Sequence, residues 1–74
     1  MKEIYFQARL NDVHILSGFC ESIESIDGAL TEVRFWTGHN FIAISGIGLE
    51  VKYRFSHECI VENGHILQPG EIVK

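Results

Sequence analysis

Strict alternation of apolar and polar residues is the feature that most constrains how this chain folds. Residues 49–55 place Leu49, Val51, Tyr53 and Phe55 on one side and Glu, Lys and Arg on the other, and residues 4–10 repeat the pattern. A period of two is typical of a β-strand with one buried face. No stretch of about ten residues keeps an amphipathic helical spacing with a recognisable cap. We therefore expect an all-β protein.

Turn signals divide the chain into short strands. Asp27-Gly28 and Asn63-Gly64 are two-residue hairpin signals. Asn11-Asp12 is a turn signal, and residues 37–40, 46–48 and 56–58 indicate further turns. We predict one antiparallel meander of about six or seven strands, curled into a barrel or sandwich. The long segment 13–26 is predicted to bend at Gly18. We expect the 74 residues to form a single domain, 1–74, in which residues 71–74 are predicted to be a frayed tail.

Composition narrows the possible partners. Six Lys and Arg against ten Asp and Glu give a formal net charge of −4. Nucleic acid is an unfavoured partner, because sequence-independent binding requires a basic face. No apolar run approaches the roughly 20 residues of a membrane span, and the start MKEIYFQARL lacks the apolar stretch of a signal peptide. We predict a cytoplasmic protein with no membrane partner.

The segment 41–45 lacks a polar face before Ser45, and this feature predicts a contact surface. In a meander it lies between the strands at 30–36 and 49–55, so either Phe41 and Ala43 or Ile42 and Ile44 face outward. A partner or a second internal layer would cover that face, and both alternatives stay open. Trp and Arg beside apolar residues are typical of protein interfaces. The predicted contact residues are Trp36, Arg34, Lys52, Arg54, Phe41, Ile42 and Ile44.

Successive turns of a meander alternate between the two ends of the sheet, and this would gather histidines at one rim. His14, His39 and His57 would meet there with Asp12, Glu58 and Cys59. Such a group predicts a zinc or other transition-metal site. The alternative is a set of solvated turn histidines, since the chain has no HxH or HExxH motif and no closely spaced Cys pair. Apart from a metal ion at these histidines, we expect no cofactor.

Nothing in the sequence predicts catalysis. Cys20 and Cys59 lack CxxC spacing and are expected to be free, half-buried thiols, although a structural pair stays open. Cys59 lies two residues from His57, which does not by itself give a nucleophile and base in contact. Gly46-Ile47-Gly48 is not followed by a helix that would bind phosphate. We expect that the protein is not an enzyme.

The second half of the chain carries a sequence of turns and strands that resembles a known family. Thr37-Gly38, the run Phe41 to Gly46, the run Gly48 to Lys52 and the run Ile60 to Ile66 are similar to motifs of the YabP/YqfC family of small sporulation proteins. The resemblance covers residues 37–66. It implies a non-enzymatic protein of spore-forming cells that acts through protein contacts.

Together these features predict a small acidic protein that binds another protein. One alternative is a compact phage or mobile-element inhibitor of a host enzyme. A second is a self-associating, sporulation-type structural protein that uses an exposed strand edge. A third is a metal-dependent module at His14, His39 and His57.

Overall fold

The computed structural model describes residues 3–26, 32–58 and 64–74, and their regular structure is entirely β. Within these residues there are eight strands, of which the last two are two residues long. Their bounds are β1 Ile4–Leu10, β2 Val13–Cys20, β3 Ser22–Ile26, β4 Glu32–Trp36, β5 Phe41–Ser45, β6 Leu49–Phe55, β7 His65–Ile66 and β8 Ile72–Val73. No helix in the described part of the chain has the length and hydrophobicity to cross a bilayer.

The strands form two antiparallel sheets of four strands each. Sheet 1 has the order β2-β1-β6-β7, and sheet 2 has the order β5-β4-β3-β8. The prediction of a small all-β fold is confirmed, and the form it takes is a sandwich rather than a closed barrel. The strands do not follow one meander, because β6 pairs with β1 instead of its sequence neighbour β5.

A single hydrophobic core lies between the sheets and is built by the predicted alternation. On β1 the buried side chains are Ile4, Phe6 and Ala8, and on β6 they include Leu49 and Val51. Sheet 2 and the segment after β7 complete the core with other apolar residues that are almost fully buried, which are Ile23, Val33, Phe35, Leu67 and Val73. Because the inward residues of both sheets share this core, the outward faces of the two sheets point away from each other.

The hairpin between β1 and β2 turns where the sequence predicts it. Asn11 and Asp12 have φ values of 51° and 66°, which a two-residue hairpin turn requires. The predicted bend at Gly18 is wrong, since Gly18 pairs in register with Phe6. The register shift lies between Ala8 and Arg9. The segment 13–26 instead divides at Glu21, where the chain passes from sheet 1 to sheet 2.

The end of the chain also differs from the expectation of a frayed tail over residues 71–74. Ile72 and Val73 pair with β3, and the Val73 side chain is buried. The Glu71 carboxylate accepts hydrogen bonds from the Tyr53 hydroxyl at 2.9 Å and from the Gln68 backbone N–H at 2.8 Å. These contacts give the short last strand a fixed position. The predicted Asp27-Gly28 turn and the predicted strand at 59–62 lie outside the described residues.

Candidate protein-contact site

Two exposed aromatic side chains lie opposite each other on the outer face of sheet 2. Trp36 of β4 pairs with Phe41 of β5, and their exposed fractions are 42% and 57%. Their neighbours Phe35 and Ile42 form the adjacent cross-strand pair and face the core. Because side chains alternate along a strand, Trp36 and Phe41 must then face outward.

Arg34 adds a cation to this aromatic pair. Its Nε donates a hydrogen bond to Glu32 Oε2 at 2.8 Å, and its Cζ lies 5.9 Å from the centre of the Phe41 ring. The hydrogen bond to Glu32 and the charge of that carboxylate raise the pKa of Arg34 above its ordinary value. Arg34 therefore contributes a guanidinium plane held between an acid and a ring. We call Trp36, Phe41 and Arg34 the aromatic patch.

The turn at residues 37–40 fixes the pairing of the two strands that carry the patch. The Thr37 hydroxyl accepts a hydrogen bond from the Asn40 N–H at 2.9 Å, and the Thr37 N–H donates to the Asn40 carbonyl at 3.0 Å. Gly38 has a φ of 93°, and a Cβ at this position would lie 2.5 Å from a carboxylate oxygen of Glu21. The turn therefore favours glycine at this position because of its backbone conformation, while the flexible Glu21 side chain could move aside for a Cβ.

The structure decides which side of β5 faces outward. Phe41 and Ala43 are exposed, whereas Ile42 and Ile44 are partly buried and pack against the core. The prediction that Ile42 and Ile44 contact a partner through an outward face is therefore wrong. Of the two alternatives for the cover of this segment, a second internal layer is present, because sheet 1 covers the inward side of β5. The outward side of β5 carries Phe41 and Ala43.

Lys52 and Arg54 do not join the aromatic patch. They lie on β6 in sheet 1, and their side chains alternate with the buried Val51 and Tyr53, so they face away from sheet 2. The sequence-based prediction of one surface with Trp36 is wrong because it assumed that β5 and β6 pair.

Arg54 has a local role on its own sheet. Its Nη1 donates hydrogen bonds to the Glu58 carbonyl at 2.8 Å and to the Phe55 carbonyl at 3.3 Å, and its Cζ lies 5.2 Å from the centre of the Tyr5 ring. Its Nε is buried and makes no hydrogen bond with the described residues. These contacts tie the turn after β6 to the sheet, so Arg54 acts as a structural residue.

The predicted histidine rim is also wrong. His14 lies beside the turn that joins β1 and β2, whereas His57 follows β6 at the opposite end of β1. His39 lies in the turn between β4 and β5, which belong to sheet 2. This turn follows Trp36, which pairs with Ser22 at the start of β3. Residues 3–26, 32–58 and 64–74 contain no group of three or more His, Cys, Asp or Glu arranged to hold a metal ion.

Cys20 differs from the expected half-buried thiol. It is free and its side chain is fully buried in the core. Burial raises the pKa of the Cys20 thiol to about 12, and a hydrogen bond with the Ser22 backbone opposes this only in part. The thiol is therefore protonated and inaccessible in the folded protein. Cys59 lies outside the described residues.

The sequence reasoning missed a second aromatic pair on the outer face of sheet 1. The rings of Tyr5 and Phe19 are tilted by 58°, with centroids 5.0 Å apart, and Phe19 is 48% exposed. The signal for Tyr5 was present, since it shares the polar side of β1 with Gln7 and Arg9. Phe19 carried no such signal, because apolar residues on both faces of β2 obscure its alternation.

Comparison with known proteins gives no match to a family model, to a curated protein or to a solved structure.

Proposed function

We propose that this protein acts by binding another protein, and that the aromatic patch is the contact site. The observation that carries the proposal is the exposure of Trp36 and Phe41 as a cross-strand pair on one face of sheet 2. Large aromatic side chains together with Arg provide most of the binding energy in many protein interfaces. Exposure of these apolar rings to water is unfavourable in free energy, and a partner that covers them removes this unfavourable contribution.

The electrostatics of the patch favour a protein over a nucleic acid. Arg34 already donates to Glu32, and Glu24 lies directly opposite Arg34 on β3. Two carboxylates beside the only cation of the patch disfavour a phosphate backbone. A rim of mixed charge around aromatic residues is the usual composition of a protein-binding surface.

Site-specific photo-crosslinking tests the proposal. A photoreactive phenylalanine analogue replaces Phe41 in one variant and Ile47 in a matched control, since Ile47 is 86% exposed in the turn after β5. Both variants are made in the cells that encode the protein, and crosslinked proteins are identified by mass spectrometry. The expected result is a defined product from position 41 and none of that product from position 47.

Binding measurements with the crosslinked partner then quantify the contribution of the patch. The double variant Trp36→Ala/Phe41→Ala is expected to weaken binding by about 100-fold, and Ile47→Ser by less than about twofold. Equal losses in the two variants, or no crosslink from position 41, would show that the patch is not the contact site.

Self-association is a second candidate, and the composition of β5 favours it. The five residues of β5, which lies at the edge of sheet 2, include no charged residue. The resemblance of residues 37–66 to the YabP/YqfC family also supports this candidate, because it implies a non-enzymatic protein that acts through protein contacts.

A further inference from the structure

The two long edge strands differ in how they resist pairing with another chain. β2, at the edge of sheet 1, contains the extra residue Ile15 at the register shift opposite Ala8 and Arg9, and it carries His14 on its outer face. Irregular pairing and polar residues are the usual protection of an edge strand. β5, at the edge of sheet 2, is regular through all five pairs with β4 and contains no charge, no proline and no glycine. Within the described residues, β5 pairs on one side only.

We propose that a second copy of this chain pairs with β5 in antiparallel orientation, about a two-fold axis at Ala43. The two copies would join their second sheets into one continuous sheet of eight strands. This proposal rests on the second candidate function, self-association, and names the strand and the register through which it occurs. The backbone N–H and C=O groups on the open side of β5 would supply the hydrogen bonds.

A two-fold axis at Ala43 pairs all five residues of β5 with residues of a second copy that face the same side of the sheet. On the outer face, Phe41 of one copy would lie opposite Ser45 of the other, and the two Ala43 residues would face each other. On the inner face, Ile42 would lie opposite Ile44 of the other copy. Both isoleucines are only partly buried at this edge, so the pairing would remove further apolar surface from water.

The charges near β5 do not oppose this arrangement. Arg34 lies opposite Ala43 on β4 and is paired with Glu32 in its own chain. The two copies of Arg34 would be separated by three strand spacings, which is about 14 Å. This distance exceeds the Debye length of about 8 Å at physiological ionic strength, so their repulsion is screened.

The pairing involves only five residues in each copy, so we expect a weak and reversible dimer. Interfaces of this size lie at the low end of specific association. The expected dissociation constant is on the order of 10 to 1000 µM. Sedimentation measurements over about this concentration range are therefore the appropriate probe.

Charge substitutions at Ala43 test the symmetry axis directly. Ala43 is exposed and lies opposite Arg34, so Glu at this position would gain a favourable neighbour within the monomer. In the dimer the two glutamates would lie directly opposite each other, which is unfavourable. We expect Ala43→Glu to weaken dimerisation about fivefold or more, and Ala43→Lys to do the same.

An equimolar mixture of the Ala43→Glu and Ala43→Lys variants provides the decisive result. Opposite charges at the axis should restore association to at least about the wild-type strength. The matched control is Ser17→Glu on the outer face of β2, which should leave the dissociation constant within about twofold. Circular dichroism of each variant verifies that the monomer is folded.

Hydrogen exchange gives a second readout that does not depend on substitution. Alternate amides of β5 should become more protected as the protein concentration rises, while the amides of β2 should not change. Any one of three results would overturn the proposal. The wild-type protein could stay monomeric near 1 mM, Ala43→Glu could leave dimerisation unaffected, or the mixture of the two Ala43 variants could show no recovery. If the wild-type protein stays monomeric and position 41 crosslinks to a different protein, self-pairing is rejected while the aromatic patch remains the contact site.

Discussion

Phe6 and Phe35 stack between the two sheets, with ring centroids 4.1 Å apart and ring planes inclined by 20°. Both side chains are almost fully buried, and each belongs to a different sheet. We predict that Phe35→Ala lowers the free energy of unfolding by about 3–5 kcal/mol, because it removes core contacts from both layers. The change is measured by chemical denaturation, with the fluorescence of the single Trp36 as the probe.

The milder variant Phe35→Leu keeps the prediction testable if the alanine variant does not fold. It is expected to cost about 1–2 kcal/mol. The control Phe41→Leu changes an exposed ring of the same type and should stay within about 0.5 kcal/mol. Equal effects at positions 35 and 41 would contradict the assignment of inward and outward faces.

Local alternation was sufficient to predict which residues of a strand face the core. Leu49, Val51 and Tyr53 are buried on β6 as the sequence indicates, and Phe55 packs beside them. This part of the fold is predictable because side-chain direction depends only on the pleat of the strand itself. The same reasoning correctly placed Trp36 on the outward side of β4.

The order of the strands was not predictable in this way, and the errors in the candidate site follow from it. β6 pairs with β1, which joins Ile4 to Phe55 across most of the chain. Periodicity carries no information about which strand lies beside another, so Lys52 and Arg54 were assigned to the wrong sheet. The prediction of a histidine rim is wrong for a related reason, since it treats segment 13–26 as one strand whereas this segment contributes a strand to each sheet.

Trp36→Ala is predicted to have little effect on folding. The side chain is 42% exposed and lies beside the core rather than within it. We expect the free energy of unfolding to fall by about 1 kcal/mol, well below the roughly 3–5 kcal/mol that removal of a core aromatic costs. Thermal unfolding followed by circular dichroism checks this, with Trp36→Phe as the conservative control. A loss near that of Phe35→Ala would mean that Trp36 supports the core and is not available to a partner.

Tyr53 is predicted to make stability depend on pH in the alkaline range. Burial, together with the hydrogen bond to Glu71, raises the pKa of Tyr53 from 10.0 to about 12. Between these values the unfolded chain loses the phenolic proton while the folded chain retains it. The contribution of Tyr53 is therefore complete below about pH 10 and is lost as the pH rises towards about 12.

Denaturation at a series of alkaline pH values measures this decline. Tyr53→Phe should show a smaller decrease in unfolding free energy above about pH 10, because it cannot ionise. Glu71→Gln keeps the phenol and removes the carboxylate, so it separates the effect of burial from that of the acceptor. An unchanged pH profile in Tyr53→Phe would show that other groups cause the decline.

Cys20 is predicted to react with thiol reagents only when the protein unfolds. Its side chain is fully buried, and its pKa is raised from 9.0 to about 12, so the nucleophilic thiolate is absent at neutral pH. In a Cys59→Ser background, the remaining thiol should be modified slowly in buffer and rapidly in denaturant. Phe35→Leu, added to that background, should increase the modification rate of Cys20 by about 5- to 30-fold, because it raises the unfolded fraction by the same factor. This relation holds when unfolding and refolding are fast compared with the modification step. Prompt modification of Cys20 in the stable protein would show that the edge of the core between β2 and β3 opens without global unfolding.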